Sequence, residues 1–405
     1  MLRVHVPSAM VHGEVEQGYG PVADAFRRNF ERGREIGAAC AVYRDGRKVV
    51  DLWGGYRDGR TGEPWNRDTM VPVFSTSKGV SSMAVAVLHS RGLLDYDERV
   101  AAYWPEFAAA GKADVTVRQL LSHQAGLPAL DQPLTLRDLS GSAVLAAALA
   151  EQRPAWRPGE RHGYHGTTLG WYESELVSRV DPRGRHLGKF FADEVAAPLG
   201  LEFHIGLPDS VDRRRVARIH GFRPWEMMLH VNAMPAAFAL AFANPWSLSA
   251  RAFQNPRVLG VPDNINRPEV QAAEIPAVNG IGEVRSIARL YGEAAIGGAG
   301  LGITPSTLDE LKNPAETPAR GLADQVLRVP TQYSLGYVKP FPAFRFGSAS
   351  GTAFGTMGLG GSFGFADPDT GVGFAYAMNR TGFHLWDDPR EVALREALFA
   401  DVLNS

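Results

Sequence analysis

The sequence is poor in cysteine and in lysine. Its single cysteine, Cys40, cannot form a disulfide within the chain. The surrounding residues, GAACAVY, predict a buried strand rather than a reactive thiol. Lysine occurs six times, and no basic run is longer than DRRRVAR at 212–218. With a formal net charge of -2, the chain gives no reason to expect a nucleic-acid partner or an anionic membrane surface.

Long apolar runs are also missing. No stretch of about 18 uncharged apolar residues occurs, so no membrane span is expected. The most apolar segment, 234–250, is short and is interrupted by Pro245. The N-terminal residues contain no unbroken apolar segment of the kind found in secretory signals. The composition, with 45% hydrophobic and 21% charged residues, is typical of a globular protein, and a cytoplasmic location is predicted. The oligomeric state stays open.

Strand patterns occur near both ends of the chain. The segment 37–58 contains two β-type runs joined by Asp45-Gly46, a dipeptide that favours a tight hairpin turn. The segment 354–380 also alternates like antiparallel strands, and helical patterns dominate between the two. The predicted fold is therefore α+β, with one antiparallel sheet built from both chain ends. Residues 1–79 and 271–405 would form the α/β lobe, residues 80–270 a mostly helical lobe, and the pocket would lie between them.

One short stretch, FSTSKGV at 74–80, suggests nucleophilic chemistry. Ser75 and Lys78 are three residues apart at the predicted start of a helix, so their side chains would share a face. A serine hydroxyl needs a base to become nucleophilic, and a desolvated lysine can serve as one. An amide at a helix N-terminus can also stabilise a developing negative charge. By itself the pair is a weak signal, and a capping serine beside a solvated lysine is then the favoured interpretation.

A second serine stands in a different motif. Gly360 to Gly364 matches Gly-x-Ser-x-Gly, with Ser362 at its centre, which in some hydrolases forms a sharp strand-to-helix elbow. The residues that follow predict a strand, a turn and another strand. The helix that an elbow requires is not predicted, so Ser75 is preferred.

Several separated motifs resemble one family. The chain resembles the serine β-lactamase and penicillin-binding-protein superfamily, and within it the class C β-lactamase-like carboxylesterases called family VIII esterases. The resemblance covers about residue 20 to the C-terminus. The motifs that carry it, in order, are DLWGGYRD, FSTSKGV, LLSHQAGLP, WRPGERHGYHGTTLGW, FFADEVAAPLGLEFHIGLP, EIPAVNGIGEVRSIARLYG and GLGGSFGFADPDTGVGFAYAMNR.

This resemblance implies a β-lactamase-like fold and a serine carboxylesterase that needs no cofactor or metal. Ser75 would be the nucleophile, and Lys78 and Tyr164 would move its proton. Tyr164, in GYHG, would be general base toward Ser75 and general acid toward the leaving alcohol. The amides of Ser75 and Leu359 would form the oxyanion hole.

The family's third motif falls on Thr356, Met357 and Gly358, which are expected to bind substrate. Relatives that hydrolyse β-lactams carry a lysine or histidine at the position of Thr356, and an asparagine at the position of Gly166. The absence of both side chains favours neutral esters as substrates. Esters with a short acyl group are the family's usual substrates. An acyltransferase using the same acyl-enzyme, a weak β-lactamase or peptidase, and a non-catalytic binding protein stay open as alternatives.

Two further features receive structural interpretations. His162 and His165 flank Tyr164 without a third ligand motif, so no metal site is expected; His165 would orient the pocket and His123 would tie a loop. Apolar residues in 227–246 could wall an acyl pocket or simply pack in the core. They are Met227, Met228, Met234, Phe238, Phe242 and Trp246.

Overall fold

Strands from both ends of the chain meet in one antiparallel sheet. The computed structural model describes residues 5–139, 143–222, 226, 230 and 233–404. The strands of this sheet are β1 (Val11–Val15), β2 (Gly37–Arg44), β3 (Arg47–Asp58), β4 (Glu63–Pro64), β8 (Phe354–Met357), β9 (Phe363–Asp367) and β10 (Val372–Met378). Their order is β1-β3-β2-β10-β9-β8, and β4 pairs with the end of β3. The predicted α+β class and its sheet built from both ends are confirmed, whereas the lobe boundaries stay a prediction.

The hairpin between β2 and β3 forms where the sequence predicts it. Asp45 and Gly46 have φ angles of 51° and 75°, as the two central residues of a type I′ turn require. Across the sheet β2 also pairs with β10, with Arg44 opposite Val372. The N-terminal hairpin therefore borders the C-terminal strands directly.

Helices connect and cover the strands. Their bounds are α1 (Gly20–Glu31), α2 (Ser77–Ser90), α3 (Val100–Tyr103), α4 (Val117–Leu121), α5 (Ala143–Glu151), α6 (Thr168–Val180), α7 (Leu187–Phe191), α8 (Ala197–Leu199), α9 (Ala236–Ala243), α10 (Leu248–Arg251), α11 (Pro268–Ala272), α12 (Val284–Ala295), α13 (Pro305–Lys312) and α14 (Pro389–Glu396). In the described part of the chain, none of these helices has the length and apolar character to cross a bilayer.

The sheet lies between two helical layers. Successive residues of a strand face opposite sides, so Cys40 and Val42 pack with α1 and α14, whereas Ala41 packs with α2 and α12. Cys40 is fully buried, and burial raises the pKa of its thiol. These positions agree with the structural interpretation of the cysteine.

A second, smaller sheet has no counterpart in the sequence prediction. It consists of β5 (Val71–Pro72), β6 (Phe203–Ile205) and β7 (Gly280–Gly282), in the order β5-β7-β6. The pattern of residues 279–295 predicts a helix over its whole length, but its first residues form β7 and the helix begins at Val284. This small sheet ends one residue from the turn that carries Ser75.

Candidate active site

Ser75 lies in a tight turn between β5 and α2. The turn is a 3₁₀ helix, Phe74–Thr76, and α2 follows it directly. Phe74 has φ 48°, a left-handed conformation that costs a non-glycine residue of the order of 1 kcal/mol or more. Ser77 holds this conformation: its Oγ donates to the Phe74 carbonyl and accepts from the amide of Gly280 in β7, at 2.8 Å. The small sheet thus holds this turn, which we call the nucleophile turn after the role predicted for Ser75.

Lys78 is wholly buried and points its amine at Ser75. Its Nζ donates to Ser75 Oγ at 2.9 Å, to the Gly166 carbonyl at 2.7 Å and to the Ala277 carbonyl at 3.0 Å. Burial lowers the pKa of Lys78 to about 7, an effect that the nearby Glu173 partly offsets. A substantial fraction of neutral amine is therefore present near neutral pH, as a base requires.

Tyr164 stands beside both groups. Its ring centroid is 4.7 Å from Lys78 Nζ, and its phenol interacts with Ser75. Burial, together with the charge of Asp324, raises the pKa of the Tyr164 phenol well above its usual range, although the interaction with Ser75 opposes this. The phenol therefore stays protonated near neutral pH and is suited to donate or relay a proton.

Asp324 fixes the backbone of Tyr164, a contact that the sequence does not signal. Its buried carboxylate accepts from the Tyr164 amide at 3.1 and 3.2 Å and from the Tyr333 hydroxyl at 2.7 Å. The amides of Val326 and Leu327 donate to it as well, at 2.8 and 2.7 Å. Such a set of donors stabilises a buried charge without a cation and holds Tyr164 in place.

The histidines around Tyr164 are occupied by structural hydrogen bonds. His165 Nε2 accepts from the Leu127 amide at 3.1 Å, and its Nδ1 lies 2.8 Å from the Gly163 carbonyl. His123 Nδ1 accepts from the His165 amide at 3.1 Å, and His162 Nε2 lies 2.9 Å from the Leu322 carbonyl. Burial lowers the pKa of His165 to about 3 and that of His123 well below its usual value, so both are neutral. Neither His165 nitrogen is free to act as a base.

The turn between β8 and β9 lies beside the nucleophile turn and carries Leu359. In the described part of the chain, neither the Leu359 amide nor the Ser75 amide donates a hydrogen bond to another residue. Both amides therefore stay available for an oxyanion. A Cβ on Gly358 would lie 2.3 Å from the Val73 carbonyl, so only glycine permits this approach.

The third-motif residues divide into different roles. The Thr356 hydroxyl donates to the Thr76 carbonyl at 3.0 Å and accepts from the Gly79 amide at 3.1 Å, and its side chain is buried. The Thr356 side chain thus joins β8 to the nucleophile turn, and its expected role in substrate binding stays a prediction. Met357, half-buried, points to the opposite face of β8.

Ser362 is structural. Its Oγ donates to the Val73 carbonyl at 2.8 Å and lies 3.1 Å from Thr76 Oγ1. It sits immediately before β9 in a strand–turn–strand unit, as expected, and no helix follows it. The Gly-x-Ser-x-Gly match is therefore not a nucleophile elbow.

An aromatic cluster borders Gly166 and Tyr164. A Cβ on Gly166 would lie 2.8 Å from the Phe253 ring, so the asparagine of related enzymes has no room in this arrangement. The Phe253 ring lies 6.0–6.3 Å from those of Phe238, Phe242 and Tyr164. Phe238 and Phe242 thus belong to this wall. Met234 packs against the same apolar cluster, and Trp246 is 85% exposed. Met227 and Met228 lie outside the described residues.

Comparisons with known proteins agree with this geometry. The family described as Beta-lactamase matches residues 22–398. "Esterase/beta-lactamase LipL" of Mycobacterium tuberculosis is 36% identical over 371 residues, covering 91% of this chain and 83% of that protein. A solved family VIII carboxylesterase is 37% identical with a TM-score of 0.82, covering 96% of this chain and 99% of its own. A solved penicillin-binding-protein homolog from Caulobacter crescentus is 36% identical with a TM-score of 0.81, with the same coverage.

Proposed function

The chain belongs to the beta-lactamase family and is a serine hydrolase, and we propose that it is a carboxylesterase acting on neutral, short-acyl esters through Ser75. Small-molecule esters are the substrates that its esterase relatives suggest. The observation that carries the proposal is the buried Lys78 amine, 2.9 Å from Ser75 Oγ, with its pKa lowered to about 7. An amine in that state can accept the serine proton without help from a metal or a cofactor.

Acylation follows from the positions of three side chains. The Ser75 proton passes to neutral Lys78, directly or through the Tyr164 hydroxyl, as Oγ attacks the ester carbonyl. The amides of Ser75 and Leu359 receive the oxyanion, and a donor of this kind contributes on the order of 10²–10³ in rate. As the intermediate collapses, Tyr164 gives its proton to the leaving alcohol and regains one from the Lys78 ammonium. Water then attacks the acyl-enzyme and passes its proton toward Lys78. Ser75 Oγ takes that proton back as the acid is released.

This assignment makes Lys78 the final acceptor of the serine proton. The sequence resemblance gives Tyr164 the part of general base, but a phenol with a raised pKa holds its proton near neutral pH. Tyr164 serves as the acid and as the relay between Ser75, Lys78 and the leaving group.

The pH dependence of the reaction tests which group is the base. Because only the neutral amine accepts a proton, kcat/KM is expected to rise with pH through a single ionisation near 7, the lowered pKa of Lys78. The measurement is the initial rate of p-nitrophenyl butyrate hydrolysis at about 20 pH values from 5 to 9, followed at the isosbestic wavelength of p-nitrophenol. A profile that is flat across this range would contradict the assignment.

Substrate charge tests the choice of ester over β-lactam. Thr356 is not a cation, and its hydroxyl is already used within the protein. We therefore expect kcat/KM for p-nitrophenyl butyrate to exceed that for the anionic cephalosporin nitrocefin by about 10- to 10²-fold, since one lost charge-assisted contact is worth about 1.5–3 kcal/mol. Comparable values for both substrates would favour a β-lactamase. A stoichiometric burst of p-nitrophenol without turnover would favour transfer to another acceptor.

A further inference from the structure

A buried cluster of charged side chains lies beside the turn that carries Leu359. Arg390, at the start of α14, is buried, and its Nε and Nη2 donate to the two carboxylate oxygens of Asp388 at 2.8 and 2.9 Å. Its Nη1 donates to Glu35 at 3.3 Å, and the Tyr376 hydroxyl donates to the other oxygen of that carboxyl. The mechanism above uses none of these groups.

The remaining donors of Arg390 reach the backbone. Its Nη2 donates to the Gly360 carbonyl and its Nη1 to the Arg380 carbonyl, both at 2.7 Å. The Gly360 carbonyl also accepts from the Gly382 amide, at 2.9 Å. Together with the bonds to the two carboxyl groups, these contacts use all five N–H groups of the guanidinium. A buried bond from a charged donor is about twice as strong as a neutral one, so Arg390 holds the Gly360 peptide firmly.

The turn of residues 358–361 connects this bond to the Leu359 amide through two peptide groups. The C=O and N–H of a trans peptide point in opposite directions, so the peptide whose carbonyl faces Arg390 directs the Gly361 N–H into the turn. That N–H donates to the Gly358 carbonyl at 3.2 Å. The Gly358 carbonyl belongs to the same peptide as the Leu359 N–H, which therefore points out of the turn. Arg390 and the Leu359 N–H thus lie at the two ends of one hydrogen-bonded chain.

Glycines bring the cluster and the turn into direct contact. Gly360 has φ 88°, as the third residue of a type II turn requires. A Cβ on Gly361 would lie 2.8 Å from the Asp388 carboxyl, and a Cβ on Gly382 would lie 2.1 Å from Asp388 Oδ2. No larger side chain fits between the turn and the cluster at these positions.

We propose that Arg390 is a positioning residue of the oxyanion hole, whose guanidinium orients and polarises the Leu359 amide through the 358–361 turn. The inference rests on the proposed function, in which this amide receives the oxyanion. Hydrogen bonds in a chain polarise one another, and they do so most strongly in a buried site. The donor is therefore already oriented when negative charge develops on the substrate oxygen, and no reorganisation is needed at that moment.

A structural ion pair elsewhere on α14 provides the comparison. Arg395 is buried as well, and its Nε and Nη2 donate to the carboxylate of Glu391 at 2.6 and 3.0 Å. It also donates to Asp387, at 2.6 Å, and to the Arg345 carbonyl. None of these partners belongs to the 358–361 turn, so this arginine stabilises the same helix without reaching the oxyanion hole.

The test is the double substitution Asp388→Asn/Arg390→Met, which removes the guanidinium without leaving the Asp388 carboxylate unpaired. We expect kcat/KM for p-nitrophenyl butyrate to fall about tenfold with a smaller change in KM, since a whole oxyanion donor contributes on the order of 10²–10³. The affinity for 1-butaneboronic acid should fall by a similar factor, because its tetrahedral adduct with a serine resembles the intermediate and places an oxygen in the hole.

The matched control is Glu391→Gln/Arg395→Met, which makes the equivalent exchange farther along the helix. It should change neither kcat/KM nor the affinity for the boronic acid, and a thermal unfolding curve for each protein gives the folded fraction at the assay temperature. Equal losses in the two double variants would overturn the inference, because they would show an effect of the helix as a whole.

Two other results would also overturn it. One is a folded Asp388→Asn/Arg390→Met protein with the kcat/KM of its parent, and the other is a fall in kcat/KM without a matching loss of boronic-acid affinity. If the double variant does not fold, Arg390→Lys carries the test. One ammonium cannot replace all the bonds of the guanidinium, so both values should fall by about threefold or more, and unchanged values would overturn the inference. Turnover that survives Ser75→Ala would instead refute the proposed function, whatever Arg390 does.

Discussion

Replacing Ser75 by alanine is expected to reduce kcat for p-nitrophenyl butyrate by on the order of 10⁴-fold or more, because the substitution removes the atom that forms the acyl-enzyme. The fold should be retained, since the Ser75 side chain bonds to Lys78 but not to the small sheet that holds its turn. The measurement is steady-state turnover beside a thermal unfolding curve for each protein.

Ser362→Ala is the matched control for that substitution. Ser362 lies in the competing motif, and its hydroxyl bonds to the Val73 carbonyl next to the nucleophile turn. Losing this bond should destabilise the protein by about 1 kcal/mol and lower kcat by less than roughly tenfold. Equal activity in the Ser75→Ala protein and its parent, with loss in Ser362→Ala, would reverse the assignment of the nucleophile.

The second large effect is expected from Lys78→Met. Methionine has a similar length and no titratable group, so kcat should fall by about 10²–10⁴-fold, the usual contribution of a positioned base, with KM changed far less. The ionisation near 7 should vanish from the remaining activity. Steady-state kinetics over the same pH range, with enough enzyme to reach the residual rate, give both the fall in kcat and the pH dependence of the remaining activity. Activity within a few-fold of the parent would exclude Lys78 as the base.

The chain offers a control for the loss of a buried amine. Lys112 is also fully buried, and its Nζ donates to the carbonyls of Ala109, Ala150 and Gln152 at 2.7–2.8 Å. Lys112→Met leaves three carbonyls without a donor and should lower stability, at about 1 kcal/mol or more for each unsatisfied group. Because Lys112 does not contact the Ser75 site, its kcat should be unchanged in the folded protein. The pair of variants separates loss of a base from loss of a structural lysine.

The sequence predicts the large sheet well and the small one not at all. Alternation in 37–58 and the Asp45-Gly46 turn have local signatures, and both are present in the structure. The strands β5, β6 and β7 have two or three residues each, which is too short for any periodicity. Their pairing depends on contacts between distant segments. Yet this sheet is what holds Phe74 and Ser75 in their turn.

In the candidate site, too, the features with a local signature are predictable from the sequence and those that depend on distant contacts are not. Ser75 and Lys78 are three residues apart, so helix geometry alone brings them together. Tyr164 is identified only through the family resemblance; it lies beside Lys78, and its catalytic role stays a prediction. Asp324 is a single carboxylate with no surrounding motif, and its importance comes from a partner far away in sequence, Tyr164. No local pattern could have identified it.

The pairing of β2 with β10 joins two strands that are synthesised at very different times. β2 is complete within the first 44 residues, but the strand beside it begins at Val372. During synthesis the hairpin of β2 and β3 therefore leaves the ribosome with an unpaired, apolar edge until the distant strand β10 has been made. Such distant pairing slows folding. A nascent chain that stalls before β10 exposes this edge to other chains, so aggregation of incomplete chains, rather than of the finished enzyme, is the hazard that this topology creates.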